Sequence, residues 1–204
     1  MRSIGLLLFG LTISFSLLAP AQVKETADTN LVLFAFDDQS IPWQENLKLT
    51  MERPKKYEGN PVLRSGPKDS IDGYGAALYG SVLSINGKLR MWYLAWPQPD
   101  SRYPGDTDRY RPVAYAESTD GIHWNKPNLG LVTFRGSTQN NIVSIEPASE
   151  PYARPMDFIS VLYDVQDPDP ARRYKMAYIV EDNVRKIAST ATAVSPDGLR
   201  WTLV

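Results

Sequence analysis

Residues 118–124 read STDGIHW and residues 195–201 read SPDGLRW. The shared pattern, Ser-x-Asp-Gly-x-x-Trp, recurs after 77 positions (from Asp120 to Asp197). The residue types describe a turn: the Asp side chain accepts turn N–H groups, Gly takes the positive φ, and the Trp three positions later is free to pack. A motif repeated once per structural unit belongs to architecture. His123, the single histidine of the chain, stands inside the first turn and is matched by Arg200 in the second. A catalytic base cannot be exchanged for Arg, whereas a solvated turn residue can.

The repeat extends outward from the turns. GAALYGSVLSINGKLRMWYLAW (75–96) aligns with FISVLYDVQDPDPARRYKMAYIV (158–180), Leu78-Tyr79 with Leu162-Tyr163 and Met91-Trp92-Tyr93 with Met176-Ala177-Tyr178. Short apolar runs predict strands over Leu31–Phe36, Ala76–Ile85, Leu89–Trp96, Val113–Ser118, Ile159–Val165, Tyr174–Val180 and Ile187–Val194. Asn86-Gly87 between two of them is a two-residue hairpin signal. No window after the first 21 residues carries a 3.6-residue apolar period, so the fold class is all-β. A unit of about four antiparallel strands at a fixed period is the pattern of a β-propeller blade, here with long insertions. The expected organisation is an N-terminal segment at 22–64, a first blade at 65–131 and a second, incomplete blade at 132–204. Two blades are fewer than the four to eight that close a ring, so the chain reads as an N-terminal fragment.

MRSIGLLLFGLTISFSLLAPAQ has a basic start, a short apolar run and an Ala-Pro-Ala site. It predicts a secretory signal peptide at 1–21, cleaved before Gln22, because the apolar run is shorter than the roughly 20 residues of a spanning helix. The expected location is secreted or periplasmic, with no membrane association beyond that peptide. The chain has no cysteine, so the exported fold rests on its core without disulfides. Lys and Arg total 22 against 23 Asp and Glu, which gives no bias toward nucleic acid. One histidine and no cysteine leave the usual zinc sites without ligands, so no cofactor or metal is expected and any chemistry falls to carboxylates.

LFAFDDQSI (33–41), GNPVL (59–63), AYAESTDGIHWNKPNLGL (114–131), NNIV (140–143) and DPDPARRYKMAY (167–178) resemble exported bacterial proteins related to the propeller domain of glycoside hydrolase families 32 and 43. The resemblance implies a five-bladed propeller, an oligo- or polysaccharide partner, and acidic residues delivered to an axial funnel by the first strands of successive blades. Carried onto this sequence, Asp72 in SIDGYG takes the place of the nucleophile or base. Asp157 in ARPMDF takes that of the acid that orients substrate, with Arg154 beside it. Asp72 and Asp157 lie 85 positions apart, as do Met91 and Met176. The sequence departs from the family pattern in lacking Asn-Asp-Pro around Asp72 and Pro after Asp157, and the general acid is expected beyond Val204.

Glycoside hydrolysis needs two carboxylates, one to protonate the leaving oxygen and one to attack or to activate water. Trp92, Trp96 and Tyr103 are candidates for stacking on sugar rings, although alternation sends Trp92 and Tyr93 to opposite faces and puts at least one in the core. Asp38, after an apolar strand, either faces the funnel or ends the strand in a solvated turn. Glu117 beside the first turn is expected at the blade periphery. Asp164, Asp167 and Asp169, interrupted by prolines and followed by Arg172-Arg173, read as a charged hairpin. The function expected is that of a glycoside hydrolase-like protein, the alternatives being a non-catalytic glycan-binding or interaction propeller, or an inactive fragment.

Overall fold

A computed structural model describes residues 41–46, 48, 50–103, 110–149, 154–182 and 187–204. The expected strand at 31–36, Asp37, Asp38 and the expected signal peptide lie outside the described residues. The chain divides into two compact units, and every element below belongs to the second, Lys55–Val204.

That unit is all-β. Its strands are β1 Gly75–Ile85, β2 Lys88–Trp96, β3 Val113–Ser118, β4 Ser144–Glu146, β5 Asp157–Tyr163, β6 Tyr174–Asp182, β7 Ile187–Ser195 and β8 Arg200–Leu203. The helical element among the described residues is one 3-10 turn at Pro170–Arg172, with the Asp169 side chain capping Ala171 N. The strands form two sheets, ordered β1-β2-β3 and β4-β8-β7-β6-β5. Ile85 faces Lys88 across Asn86-Gly87, whose φ values of 52° and 74° are those of a tight hairpin turn. In β1, Leu78, Tyr79 and Gly80 bulge opposite Tyr93, since Ala77 pairs with Leu94 and Ser81 with Trp92. A second bulge in β5 leaves Phe158 unpaired.

The two repeats correspond bond for bond at their turns. Ser118 Oγ and Ser195 Oγ each accept from the N–H of the Asp and the Gly that follow and donate to the Asp Oδ1. That Oδ1 in turn accepts the two next N–H groups, of Ile122 and His123 in one turn and of Leu199 and Arg200 in the other. Gly121 and Gly198 take φ of 75° and 78°, and the indole N–H of Trp124 or Trp201 donates back to the glycine carbonyl. His123 and Arg200 are equivalent here as well, each side chain bonded to its turn's Asp.

The fourth strands are where the two units differ. In the second sheet β8 continues from the turn and pairs with β7 through Val194 and Thr202. In the first sheet the equivalent contact shrinks to a single bridge, Glu117 to Asn125. The chain then returns so that Asn141–Val143 pairs with β3, and it continues as β4 alongside β8 in parallel. This crossing from one sheet to the other was not expected from a run of antiparallel strands, and the segment paired with β3 lies beyond the expected blade boundary at residue 131.

Alternation on β2 decides where the cores sit. Trp92 and Leu94 point between the sheets and join Val113, Tyr115, Ile159, Val161, Met176, Tyr178 and Trp201. Met91, Tyr93 and Ala95 point to the other face, with Ala114, Ala116, Ile71 and Ile142. Trp92 is fully buried, and its indole N–H donates to Gly198 O at 2.7 Å. One carbonyl therefore receives both indoles, Trp92 from the first sheet and Trp201 from the second.

A Cβ on Gly198 would lie 2.7 Å from Trp92 Cζ2, whereas on Gly121 it would meet Leu89 Cδ1 at 3.3 Å. Ala at either site costs about 1–2 kcal/mol for its left-handed backbone. Gly198→Ala adds about 1–3 kcal/mol of overpacking, so it lowers the unfolding midpoint clearly more than Gly121→Ala in urea titrations. The Asp197 carboxyl loses some stability of its charged form by burial. The N–H groups of Arg200 and Leu199 outweigh this and hold its pKa below the usual carboxylate value. A depressed pKa contributes stability above the unfolded value near pH 4 that disappears on acidification. Urea midpoints measured downward from pH 5 are expected to fall more steeply for the wild type than for Asp197→Asn.

Candidate functional site

Asp72 stands at the head of the chain segment that leads into β1, and it is 2% exposed. Two successive turns, Ser70 N to Pro67 O and Gly73 N to Ser70 O, wrap the chain around it. Gly66 N donates to Oδ1 at 3.1 Å, and Ser70 Oγ lies 3.0 Å from the same oxygen, its one hydrogen shared with Pro67 O at 2.7 Å. A Cβ on Gly66 would sit 2.7 Å from that oxygen, so the close approach requires glycine. Tyr93 Oη donates to Oδ2 at 3.0 Å, and Lys126 Nζ forms an ion pair with the same oxygen. Lys126 also donates to Arg64 O at 2.6 Å and lies 5.8 Å from the centre of the Tyr93 ring. Behind Tyr93, Asn141 Nδ2 donates to Tyr93 Oη at 2.9 Å and to Tyr115 O at 2.7 Å.

Asp72 and Lys126 line a cleft of about 570 Å³ together with Asp69, Arg102, Arg135 and Asn141. Burial, and after it the charge of Asp72, pushes the Tyr93 phenol far above its ordinary pKa. In a neighbouring cavity, the Arg102 side chain holds Asp100 down to about 2. Tyr103 also lines the cleft, with the guanidinium carbons of Arg102 and Arg135 at 5.7 and 5.4 Å from its ring centre.

Asp157 starts β5 and does not line this cleft. It pairs with Arg111 Nη1 at 3.4 Å, and its Oδ1 accepts Phe158 N. Arg111 lies 4.5 Å above the Trp96 ring, which stacks on Tyr74 at 6.3 Å and 17°. Trp96 thus belongs to the surroundings of Asp157, in a cluster that reaches back through Tyr74 to the segment holding Asp72. Arg154 is exposed, 5.1 Å from the Tyr110 ring centre, and lines a separate cavity of about 340 Å³ with Glu146.

Trp92 requires a correction. It has no exposed surface for a sugar, because its ring fills the space between the sheets and its N–H is spent on Gly198. Tyr93 is equally buried, so both faces of β2 are core. Glu117 binds Lys88 at 3.1 Å beside the turn. In the acidic hairpin, Lys175 Nζ takes the carboxylates of Asp164 at 2.6 Å and Asp167 at 2.8 Å.

Tyr93, Lys126, Asn141 and Arg111 were not singled out in the sequence as partners of the carboxylates. Lys126 follows the turn tryptophan by two positions and Asn141 lies in NNIV, but no spacing links either to residue 72. The contacts arise from tertiary return of the chain onto β3.

No known protein family matches the chain, and no curated protein does. Among solved structures it is similar to a candidate glycoside hydrolase from Bacteroides ovatus, with 21% identity and a TM-score of 0.48 over 75% of this chain and 41% of that one. It is also similar to a sucrose-6-phosphate hydrolase from Lactobacillus gasseri, with 18% identity and a TM-score of 0.45 over 67% of this chain and 23% of that one. The chain spans less than half the length of either.

Removing Lys126 leaves the buried Asp72 carboxylate without its cation. Lys126→Met is expected to cost about 3 kcal/mol in urea unfolding. Adding Asp72→Asn to that variant should recover most of the loss, which a double-mutant cycle measures directly.

Proposed function

We propose that the two sheets are blades of a five-bladed propeller in an exported, glycoside hydrolase-like protein acting on oligo- or polysaccharides. The observation that carries this reading is the setting of Asp72, a carboxylate with both oxygens held by defined donors at the wall of a cleft. Asp72 serves as nucleophile or base, and Asp157, braced by Arg111, orients the sugar. Fixed orientation suits either task, because a reacting carboxylate must be aligned before the chemical step. The signal peptide at 1–21 delivers the protein to the periplasm or beyond.

A second reading is a non-catalytic glycan-binding or interaction propeller. It is favoured by the four protein donors that already occupy Asp72, an arrangement that also serves a purely structural ion pair. The two readings part in the complete protein, assayed for reducing-sugar release from an oligosaccharide panel. Asp72→Asn is expected to lower kcat by at least about 100-fold in protein that circular dichroism shows to be folded, although loss of the Lys126 ion pair lowers its urea midpoint. Glycan binding without any product in the wild type would instead support the binding module, and an undiminished rate in Asp72→Asn would remove Asp72 from the chemistry.

A further inference from the structure

The hydrogen bonds behind Asp72 have a direction. Tyr115 O is a carbonyl and can only accept, so the Asn141 side chain must present its NH2 group to it. The same NH2 group faces Tyr93 Oη, so the phenol oxygen receives a proton there. The single hydrogen of the phenol is then left for Asp72 Oδ2. Turning the amide over would set Asn141 Oδ1 against Tyr115 O, acceptor against acceptor, at a buried position. Burial and the Asp72 charge keep the phenol protonated, and therefore a donor, through the neutral range.

We propose that Tyr93 and Asn141 are positioning residues for Asp72, forming a one-way relay from Tyr115 O that commits the Tyr93 hydrogen to Asp72 Oδ2. This rests on the reading of Asp72 as the reacting carboxylate. Tyr93→Phe deletes the hydrogen while keeping the ring. Asn141→Asp replaces the donor with an acceptor, so two carboxylates compete for one phenol hydrogen.

The relay is tested first in the 204-residue chain by NMR. The wild type should show a slowly exchanging hydroxyl proton, assigned by its loss in Tyr93→Phe and shifted in both Asp72→Asn and Asn141→Asp. The complete protein is then assayed for sugar release. Tyr93→Phe and Asn141→Asp are each expected to lower kcat about tenfold and leave KM within about twofold, because the donor that orients the reacting carboxylate is lost or contested. Tyr93→Phe, which preserves shape, keeps the test decisive should Asn141→Asp misfold. If Asp72→Asn abolishes release but Tyr93→Phe leaves kcat unmoved, the positioning role falls alone. If Asp72→Asn leaves release intact, Asp72 is not the reacting carboxylate, and the positioning role falls with that assignment while the hydrolase reading stands.

Discussion

The carbonyl of Gly198 receives two indole N–H groups, from Trp92 of one sheet and Trp201 of the other, and the arrangement of both sheets depends on it. A buried carbonyl has two lone pairs, and using both against rigid rings fixes distance and angle at once. The Ser195–Asp197 hydrogen bonds hold Gly198 in its left-handed conformation and so aim that carbonyl. Trp92 in turn fixes β2. Because side chains alternate along a strand, fixing Trp92 toward the core directs Tyr93 toward Asp72 on the opposite face. The turn at 195–201 therefore acts on the candidate site through one strand and two adjacent residues.

Much of the fold was legible because it rests on local rules. Asn86-Gly87 selects a two-residue hairpin, and Ser-x-Asp-Gly selects a turn whose hydrogen bonds close within five residues. Strands β1, β2, β3, β5, β6 and β7 were each marked by apolar runs between such turns. β4 and β8 escaped detection because they are only three and four residues long. Their pairing to each other is parallel and joins segments more than fifty positions apart, for which no local signal exists.

The candidate site was legible only in part, and for the same reason. The 85-position spacing suggested equivalent points for Asp72 and Asp157, but the register sets them apart: Asp157 opens β5 opposite Ile179, the place that Ala77 takes opposite Leu94, whereas Asp72 lies ahead of β1. Their partners come from elsewhere: Lys126 and Asn141 from the loop that recrosses to β3, Arg111 from the segment before β3. Trp92 misled because an aromatic residue on a strand has the same sequence signature whether it stacks on a ligand or fills a core. Burial decides between the two, and burial of β2 on both faces follows from packing by the second sheet and by the return of residues 141–143.

Equivalent positions in the two units also show how one backbone pattern is given unequal roles. Leu89 and Tyr174 both stand opposite the serine of their turn, and Trp92 and Ala177 both stand opposite the middle of their third strand. The backbone geometry repeats while the side chains diverge. The large residue at 92 fills the space between sheets and reaches the neighbouring turn, and the small residue at 177 cannot. Asp72 and Asp157, which stand at different points of their repeats, also differ in setting: one is buried against Lys126 and Tyr93, the other half-open against Arg111. A repeat that copies backbone and varies side chains can therefore make one strand position an anchor between sheets in one repeat and leave it a small side chain in the other.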